Sequence, residues 1–360
     1  MRAKATMRTA RLDDSKGSST KTGMTTTVVQ DHYSPAPEGL FRLARIDTPT
    51  AGDDEVLVRV HAASVDRGTW HIMSGLPYPI RLAGFGLRRP KFANPGRNFA
   101  GTVEAIGPGV SGFAPGDAVF GMATSTFAQH AIARTGKLAP MPPRLSFEGA
   151  AVVPVSGVTA LQAVRDHGHV QAGEEVLIIG ASGGVGTFAV QLAKAFGADV
   201  TGVCSTGKVD LVRSLGADHV IDYTRDDFAD GGQRYDVILD IGGNARLSRL
   251  RRALTPRGRL VIVGGETDGR LLGGSGRQVR AKLLSPFVHQ ELGTFVAKET
   301  AADLIVLSGL IEDGSLTPAI ERSYPLADVA AAVRHLLDGK ACGKLVISVL
   351  PDEPAPGSTP

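Results

Sequence analysis

The segment Ile178-Ile179-Gly180-Ala181-Ser182-Gly183-Gly184-Val185-Gly186 constrains this chain more than any other, because four of its nine residues are glycine. Before it, Glu175-Val176-Leu177-Ile178-Ile179 is apolar in the manner of a strand buried on both faces. After it, Val185, Ala189, Leu192, Ala193 and Phe196 recur at helical spacing, and neither Gly nor Pro interrupts 187–196. A bare loop between strand and helix brings backbone N–H groups and a helix N-terminus to bear on a pyrophosphate. In the pattern Ala181-x-Gly183-x-x-Gly186, Gly183 lets the chain approach the phosphates and Gly186 lets helix and strand pack closely. A second strand follows at Asp199-Val200-Thr201-Gly202-Val203, then a helix, then Ala217-Asp218-His219-Val220-Ile221-Asp222-Tyr223. This β-α-β-α-β alternation predicts an α/β fold with a doubly wound parallel sheet. On these residues alone, a purely structural strand–helix turn and a methyltransferase-type sheet stay open as alternatives.

The flanks read differently. Glu55 to Val65 alternates like a half-buried strand, and Gly101 to Gly121 gives short strands broken by glycine and proline turns. A helix over Asp328 to Leu337 and a strand over Lys344 to Val349 return to that β-rich character. Residues 25–151 and 317–350 are therefore expected to form one domain, with a nucleotide-binding domain, 152–316, inserted between them. A chain of 360 residues with 42% hydrophobic and 21% charged residues has room for both cores.

Composition narrows the function. No apolar run reaches the ~18 residues of a membrane helix, so no membrane partner is expected. The net charge is only +3, and the first 23 residues supply it; no basic face for nucleic acid is implied. Two cysteines, Cys204 and Cys342, cannot make a disulfide scaffold or a four-cysteine zinc lobe within one chain. Residues 1–24 read as a disordered extension without an apolar signal core, or translation starts at Met24. Asp13-Asp14 argues against a transit peptide, and a cytoplasmic location is expected. Residues 351–360 read as a disordered tail.

Four motifs, in this order and spacing, carry a resemblance: Pro115-Gly116-Asp117-Ala118-Val119-Phe120-Gly121, Ala151-Val152-Val153-Pro154 with Gly157-Val158-Thr159-Ala160, Ala181-Ser182-Gly183-Gly184-Val185-Gly186, and Gly343-Lys344-Leu345-Val346. With them the chain resembles the medium-chain dehydrogenase/reductase superfamily, in its zinc-independent quinone-oxidoreductase-like branch, over roughly residues 25–350. The resemblance implies a GroES-like catalytic domain, a Rossmann cofactor domain, an active site between them, and a homodimer.

Zinc relatives carry Cys where this chain has Asp66, and Gly-His-Glu where it has Gly96-Arg97-Asn98. Catalytic zinc needs three Cys, His or carboxylate ligands, so no metal is expected, and His71 is read as structural. The second strand leads into Cys204-Ser205-Thr206-Gly207-Lys208 with no carboxylate until Asp210. An acid there would hydrogen-bond a free ribose 2′-hydroxyl, whereas hydroxyls and an ammonium attract a 2′-phosphate. NADPH is the expected cofactor. Similar reductases surround the 2′-phosphate with a hydroxyl residue, a Lys and a Tyr, which Ser205, Lys208 and Tyr223 match; a solvated lysine and a surface tyrosine are the plainer readings of the last two.

A site without a metal suits acceptors that are already electron-poor, namely quinones or alkenes conjugated to a carbonyl. Such a small electrophile is the expected substrate; alcohol/ketone oxidoreduction and a non-catalytic, crystallin-like role are the alternatives. Two catalytic candidates follow. Asp66 either orients the nicotinamide ribose or caps the turn. Tyr78, near the position of a tyrosine proton donor in related enoyl reductases, is either that donor or a surface turn residue. By the same resemblance Thr159 contacts the carboxamide or bonds back to its own helix. Lys344 lies near the cofactor or is solvated. Gly264-Gly265, ending a strand, should let the nicotinamide lie close to the chain, alongside Ser182, Gly183, Gly184, Val185 and Gly186 at the phosphates.

Overall fold

The structure, a computed structural model, describes residues 23–264 and 275–350. The described residues open with an antiparallel hairpin, β1 (Met24–Val29) on β2 (Arg42–Asp47). Met24 thus belongs to a strand rather than to the extension expected over 1–24; residues 1–22 and 351–360 lie outside the described residues. Next come β3 (Glu55–Val65), α1 (Arg67–Ser74), β4 (Asn98–Ile106), β5 (Ala118–Met122), β6 (His130–Arg134) and β7 (Leu138–Pro140). Two helices, α2 (Phe147–Ala151) and α3 (Pro154–Gln162), lead into an alternation of strands and helices. That alternation is β8 (Glu175–Ile179), α4 (Gly184–Ala195), β9 (Asp199–Cys204), α5 (Val209–Ser214), β10 (His219–Asp222), β11 (Tyr235–Asp240), α6 (Leu247–Ala253), β12 (Leu254–Ile262), α7 (Ser275–Leu284), β13 (Glu291–Thr294) and α8 (Ala301–Glu312). The chain ends on β14 (Ile320–Pro325), α9 (Val329–Leu337) and β15 (Lys344–Ser348).

Strands β10-β9-β8-β11-β12-β13 form one sheet in that order, and every pair is parallel. Right-handed crossover helices cover such a sheet on both faces, so its strands are buried throughout; Val176, Leu177 and Ile178 are fully buried. The order reverses between β8 and β11, and ligands of doubly wound sheets bind at the carboxyl ends beside that reversal. The second sheet runs β14-β15-β3-β4-β5-β7, with β6 on β3. There β15 pairs antiparallel with β3, Leu345 opposite Val65, so the last strand of the chain completes the sheet begun by the third. Among the described residues, no helix is long and apolar enough to cross a membrane.

Candidate active site

Two cavities meet at the glycine loop. The first, about 480 Å³, lies over the ends of β8, β9 and β11 and is lined by Ser182, Ser205, Lys208, Tyr223, Phe228 and Arg249 among others. The second, about 720 Å³, lies between the two sheets and is lined by Asp66, Thr159, Ser182, Gly183, Gly184, Val185, Gly264 and Lys344 among others. Gly180, Ser182, Lys208, Gly242, Asn244 and Gly339 border both. A dinucleotide laid across them would pass over the glycine loop.

The loop's glycines do different things. A Cβ on Gly183 would meet only the Gly180 carbonyl, at 3.4 Å, so this position keeps space for a ligand. A Cβ on Gly186 would stand 2.1 Å from the Gly180 carbonyl oxygen, so this position lets α4 seat on β8. No side chain caps the start of α4 at Gly183, which leaves its first amides without a side-chain acceptor. That is a phosphate cradle, and the residues present fit a dinucleotide.

In the first cavity Ser205, Lys208 and Tyr223 come together as expected. Tyr223 is largely exposed at its edge. Lys208 is not a solvated lysine: Nζ donates to the carbonyls of Gly339 (2.9 Å) and Ala341 (2.7 Å), on the loop before β15. Carboxylates lie nearby that the run after β9 did not disclose: Asp226 and Asp227 line the cavity, Asp227 paired with Arg249, and a third stands beside it. Asp222, ending the adjacent β10, accepts from the hydroxyls of Thr206 (2.5 Å) and Thr224 (2.7 Å). Burial pushes the Cys204 thiol up to about 11, so it is protonated at neutral pH.

The second cavity has a polar floor built from distant segments. Asp66 caps α1, accepting from Thr69 N (3.1 Å), while the Asp66 backbone N–H donates in return to the Thr69 hydroxyl oxygen (3.4 Å). The other Asp66 oxygen accepts from Asn98 Nδ2 at 2.6 Å, and Asn98 Oδ1 accepts from Val155 N at 2.8 Å. Thr159 gives its hydroxyl proton to the Val155 carbonyl (2.6 Å), which leaves its lone pairs for the cleft. Lys344 is 1% exposed rather than solvated. Its Nζ donates to the Val65 carbonyl (3.1 Å) and to Ser156 Oγ (3.0 Å). Burial pushes its ammonium below the ordinary lysine value, against the pull of Asp66. Sequence reasoning named Asn98 only as a replaced zinc-ligand position and did not name Ser156 or Gln278, which line the cleft; Asn98 is fully buried behind Asp66.

Tyr78 requires a correction. It lines neither cavity, its side chain is exposed, and its ring packs on the Arg81 guanidinium 4.9 Å from the centroid. Arg81 is held in turn by Tyr33 and by the Gly75 carbonyl, so the tyrosine sits on an outer turn. His71 does line the cleft; its Nδ1–H donates to the Leu76 carbonyl (2.7 Å), and burial lowers its pKa. Of the Gly264-Gly265 pair, Gly265 lies outside the described residues. Gly264 borders the cleft where a Cβ would strike the Ile241 carbonyl at 2.1 Å.

The zinc-ligand positions of related enzymes do not fit a metal here. Asp66 and Asn98 are bonded to each other, and Arg97 forms an ion pair with Glu299. Although burial pushes Glu299 up, Arg97 and Lys137 hold its carboxyl below the usual range. Among the described residues no group of three His, Cys, Asp or Glu side chains could hold a metal ion.

A six-stranded parallel sheet with an uncapped glycine loop, facing a cleft closed by a mostly antiparallel domain, defines a two-domain dinucleotide-binding architecture. Residues 52–143 match the family model described as alcohol dehydrogenase GroES-like domain, and residues 215–347 the one described as zinc-binding dehydrogenase. Human quinone oxidoreductase is 30% identical over 321 residues, covering 86% of this chain and 94% of that protein. The spectinabilin polyketide synthase system protein NorB of Streptomyces orinoci is 38% identical over 264 residues, 71% of this chain, but the match spans only 12% of that much longer protein. The quinone oxidoreductase structure from Coxiella burnetii superposes with a TM-score of 0.77 at 27% identity, covering 91% of this chain and all of that one. The chain belongs to the medium-chain dehydrogenase/reductase superfamily, in its quinone oxidoreductase-like branch. It is an NAD(P)H-dependent oxidoreductase.

Proposed function

We propose that this oxidoreductase uses NADPH, works without zinc, and delivers hydride to a quinone or an α,β-unsaturated carbonyl compound. The observation that carries the reading is the closed Asp66–Asn98–Val155 hydrogen-bond network at the place where zinc relatives bind metal. With those side chains committed to each other, the cleft offers hydrogen bonds and one buried ammonium rather than a Lewis acid. Such a site favours an acceptor that is already electron-poor.

The cofactor preference rests on the first cavity. Ser205, Lys208 and Tyr223 line it together, and the neighbouring Asp222 is turned onto the hydroxyls of Thr206 and Thr224. A 2′-phosphate placed there would take a charge-assisted bond from Lys208, which uses two of its three N–H donors on the Gly339 and Ala341 carbonyls. In the second cavity, Thr159 is oriented to accept from an amide. When bound, the nicotinamide supplies the hydride; the protein supplies orientation and exclusion of water.

The test is steady-state oxidation of NADPH and of NADH with small quinones and cyclic enones, with and without chelator. NADPH-dependent turnover unaffected by chelator is expected. Alcohol oxidation that depends on one tightly held zinc per chain would overturn the reading. Tight NADPH binding with no turnover across a broad panel would point to a non-catalytic role.

A further inference from the structure

Reduction of an enone needs a proton as well as a hydride, and Tyr78, a candidate donor with a surface turn as its other reading, does not line the cleft. Among the described residues that line the cleft, Asp66, Arg67, His71, Lys208 and Lys344 titrate. Asp66 accepts one N–H bond at each of its two oxygens, so both are already committed within the protein. Arg67 keeps its protons at any working pH. His71 has its Nδ1–H on the Leu76 carbonyl, and burial favours its neutral form. Lys208 is tied at the far end, at the boundary with the first cavity.

Lys344 and Ser156 are placed otherwise. Both are 1% exposed, and both border the cleft. Lys344 Nζ donates to Ser156 Oγ at 3.0 Å. A hydroxyl that accepts from an ammonium has its own proton to donate onward. Ser156 stands on α3 nearly one turn before Thr159, whose oxygen also faces the cleft. The glycine loop makes room for the pair: a Cβ on Gly184 would stand 3.0 Å from Lys344 Cδ and 3.4 Å from Ser156 Oγ.

We propose that Ser156 and Lys344 form a proton relay that serves the α-carbon of an enone substrate. The proposal rests on the enone arm of the function proposed above. Hydride forms the new C–H bond at the β-carbon, and the alkene electrons move onto the carbonyl oxygen as an enolate. The enolate α-carbon takes the Ser156 hydroxyl proton as the carbonyl re-forms. The Ser156 oxygen recovers a proton from the Lys344 ammonium, and water reprotonates the Lys344 amine before the next turnover. Burial acidifies that ammonium, while Asp66 opposes the change and Arg67 and His71 are the other titratable groups on the adjoining α1.

A quinone gives the control, because hydroquinone oxygens exchange protons with water unaided. Ser156→Ala, Ser156→Thr and Lys344→Met are compared on 2-cyclohexenone and a 1,4-naphthoquinone, with NADPH binding followed by fluorescence. Removing a general acid typically costs 10²–10⁴-fold, so Ser156→Ala should lower enone kcat roughly a hundred-fold while quinone kcat changes less than about three-fold. Ser156→Thr, which keeps the hydroxyl, should recover most of the loss. Lys344→Met should remove the alkaline limb of the wild-type enone pH profile. An unchanged enone rate in Ser156→Ala, or equal losses with both acceptors, would overturn the relay. Wild-type protein inert toward both acceptors would instead overturn the wider functional reading, and the relay with it.

Discussion

The two cavities beside the glycine loop are walled differently. The first draws on loops that follow β8, β9, β10 and β11, all strands of one sheet, with Gly339 as a visitor from the other domain. The second joins the end of β3, α1, α3, α9 and β15 across both sheets. Its floor depends on partners far apart in the chain: Asn98 lies 32 residues from Asp66, and Lys344 lies 279 residues from Val65. A site made within one repeating unit is specified by local pattern. A site made between two domains is specified by packing, and its polar residues show their use only once that packing is known.

The sharpest way to break this comparison is within the glycine loop. Gly186→Val would drive a side chain into the Gly180 and Ala181 backbone, where even a Cβ stands 2.1 Å from the Gly180 oxygen. The expected result is loss of soluble folded protein. Gly183→Val meets nothing closer than 3.4 Å; it should stay folded, with NADPH binding weakened by roughly a hundred-fold or more. Circular dichroism and cofactor titration on the two variants check this. Normal cofactor binding by folded Gly183→Val would make the loop merely structural.

The wall between the cavities carries the next effect. Asp240, fully buried at the end of β11, pairs with Arg277 Nη1 at 2.7 Å. Arg277 also donates to the carbonyls of Ala245 (3.1 Å) and Gly264 (3.2 Å). Burial raises the Asp240 pKa to about 6, above its ordinary 3.8, despite Arg277. Its folded pKa is therefore the higher one. The stability this group contributes is fully present below about pH 4 and is lost as pH rises through about 6. Arg277→Met would strand a carboxylate in the interior, which costs about 3–5 kcal/mol at pH 8. At pH 5 the carboxyl is already protonated, and the cost should be much smaller. Urea unfolding at both pH values measures it; an equal cost at both would show that the pair is not what holds Gly264 in place.

A smaller effect tests whether the first cavity is as local as its walls suggest. Lys208→Ala should weaken NADPH by roughly ten- to a hundred-fold, the worth of one charge-assisted bond to a partly exposed phosphate. NADH lacks the phosphate, yet Lys208 also ties the loop before β15 through Gly339 and Ala341. NADH affinity should therefore fall as well, by about three-fold, the scale of half an ordinary hydrogen bond. Dissociation constants for both cofactors in both proteins decide it. Equal losses would remove Lys208 from the 2′-phosphate; no loss with NADH would make the loop contact idle.

What could be read from sequence divides along the same line. Glu175–Ile179 was legible as a strand because burial on both faces leaves a continuous apolar run; Glu55–Val65 was legible as a strand too, but the structure buries residues 56–58 and 62–65 on both faces where half-burial was expected. Ser205, Lys208 and Tyr223 were named by resemblance to NADPH-using reductases, and the structure brings all three to one cavity. Asp222 was missed there because it reaches Thr206 from the neighbouring strand β10, 16 residues on. In the cleft, Asp66 was legible as a cap and Lys344 only as a position. The burial of Lys344 follows from β15 pairing with β3, and its bond to Ser156 from α3 crossing beneath Gly184. No local pattern encodes either event.

The smallest expected effect is at Tyr78, and it bears on the cleft's one correction. Tyr78→Phe keeps the ring that packs on Arg81, 4.9 Å from its centroid, and removes only the hydroxyl. The residue is 39% exposed. Stability should stay within about 0.5 kcal/mol of wild type, the usual scale for a surface substitution. Enone and quinone kcat/KM should each stay within about two-fold, since no interaction with a reacting atom is removed. Steady-state kinetics and a thermal melt settle both points. If the phenylalanine variant loses enone reduction yet keeps quinone reduction, the outer turn closes over bound substrate and the tyrosine is the acid. Ser156 and Lys344 would then be left with positioning alone.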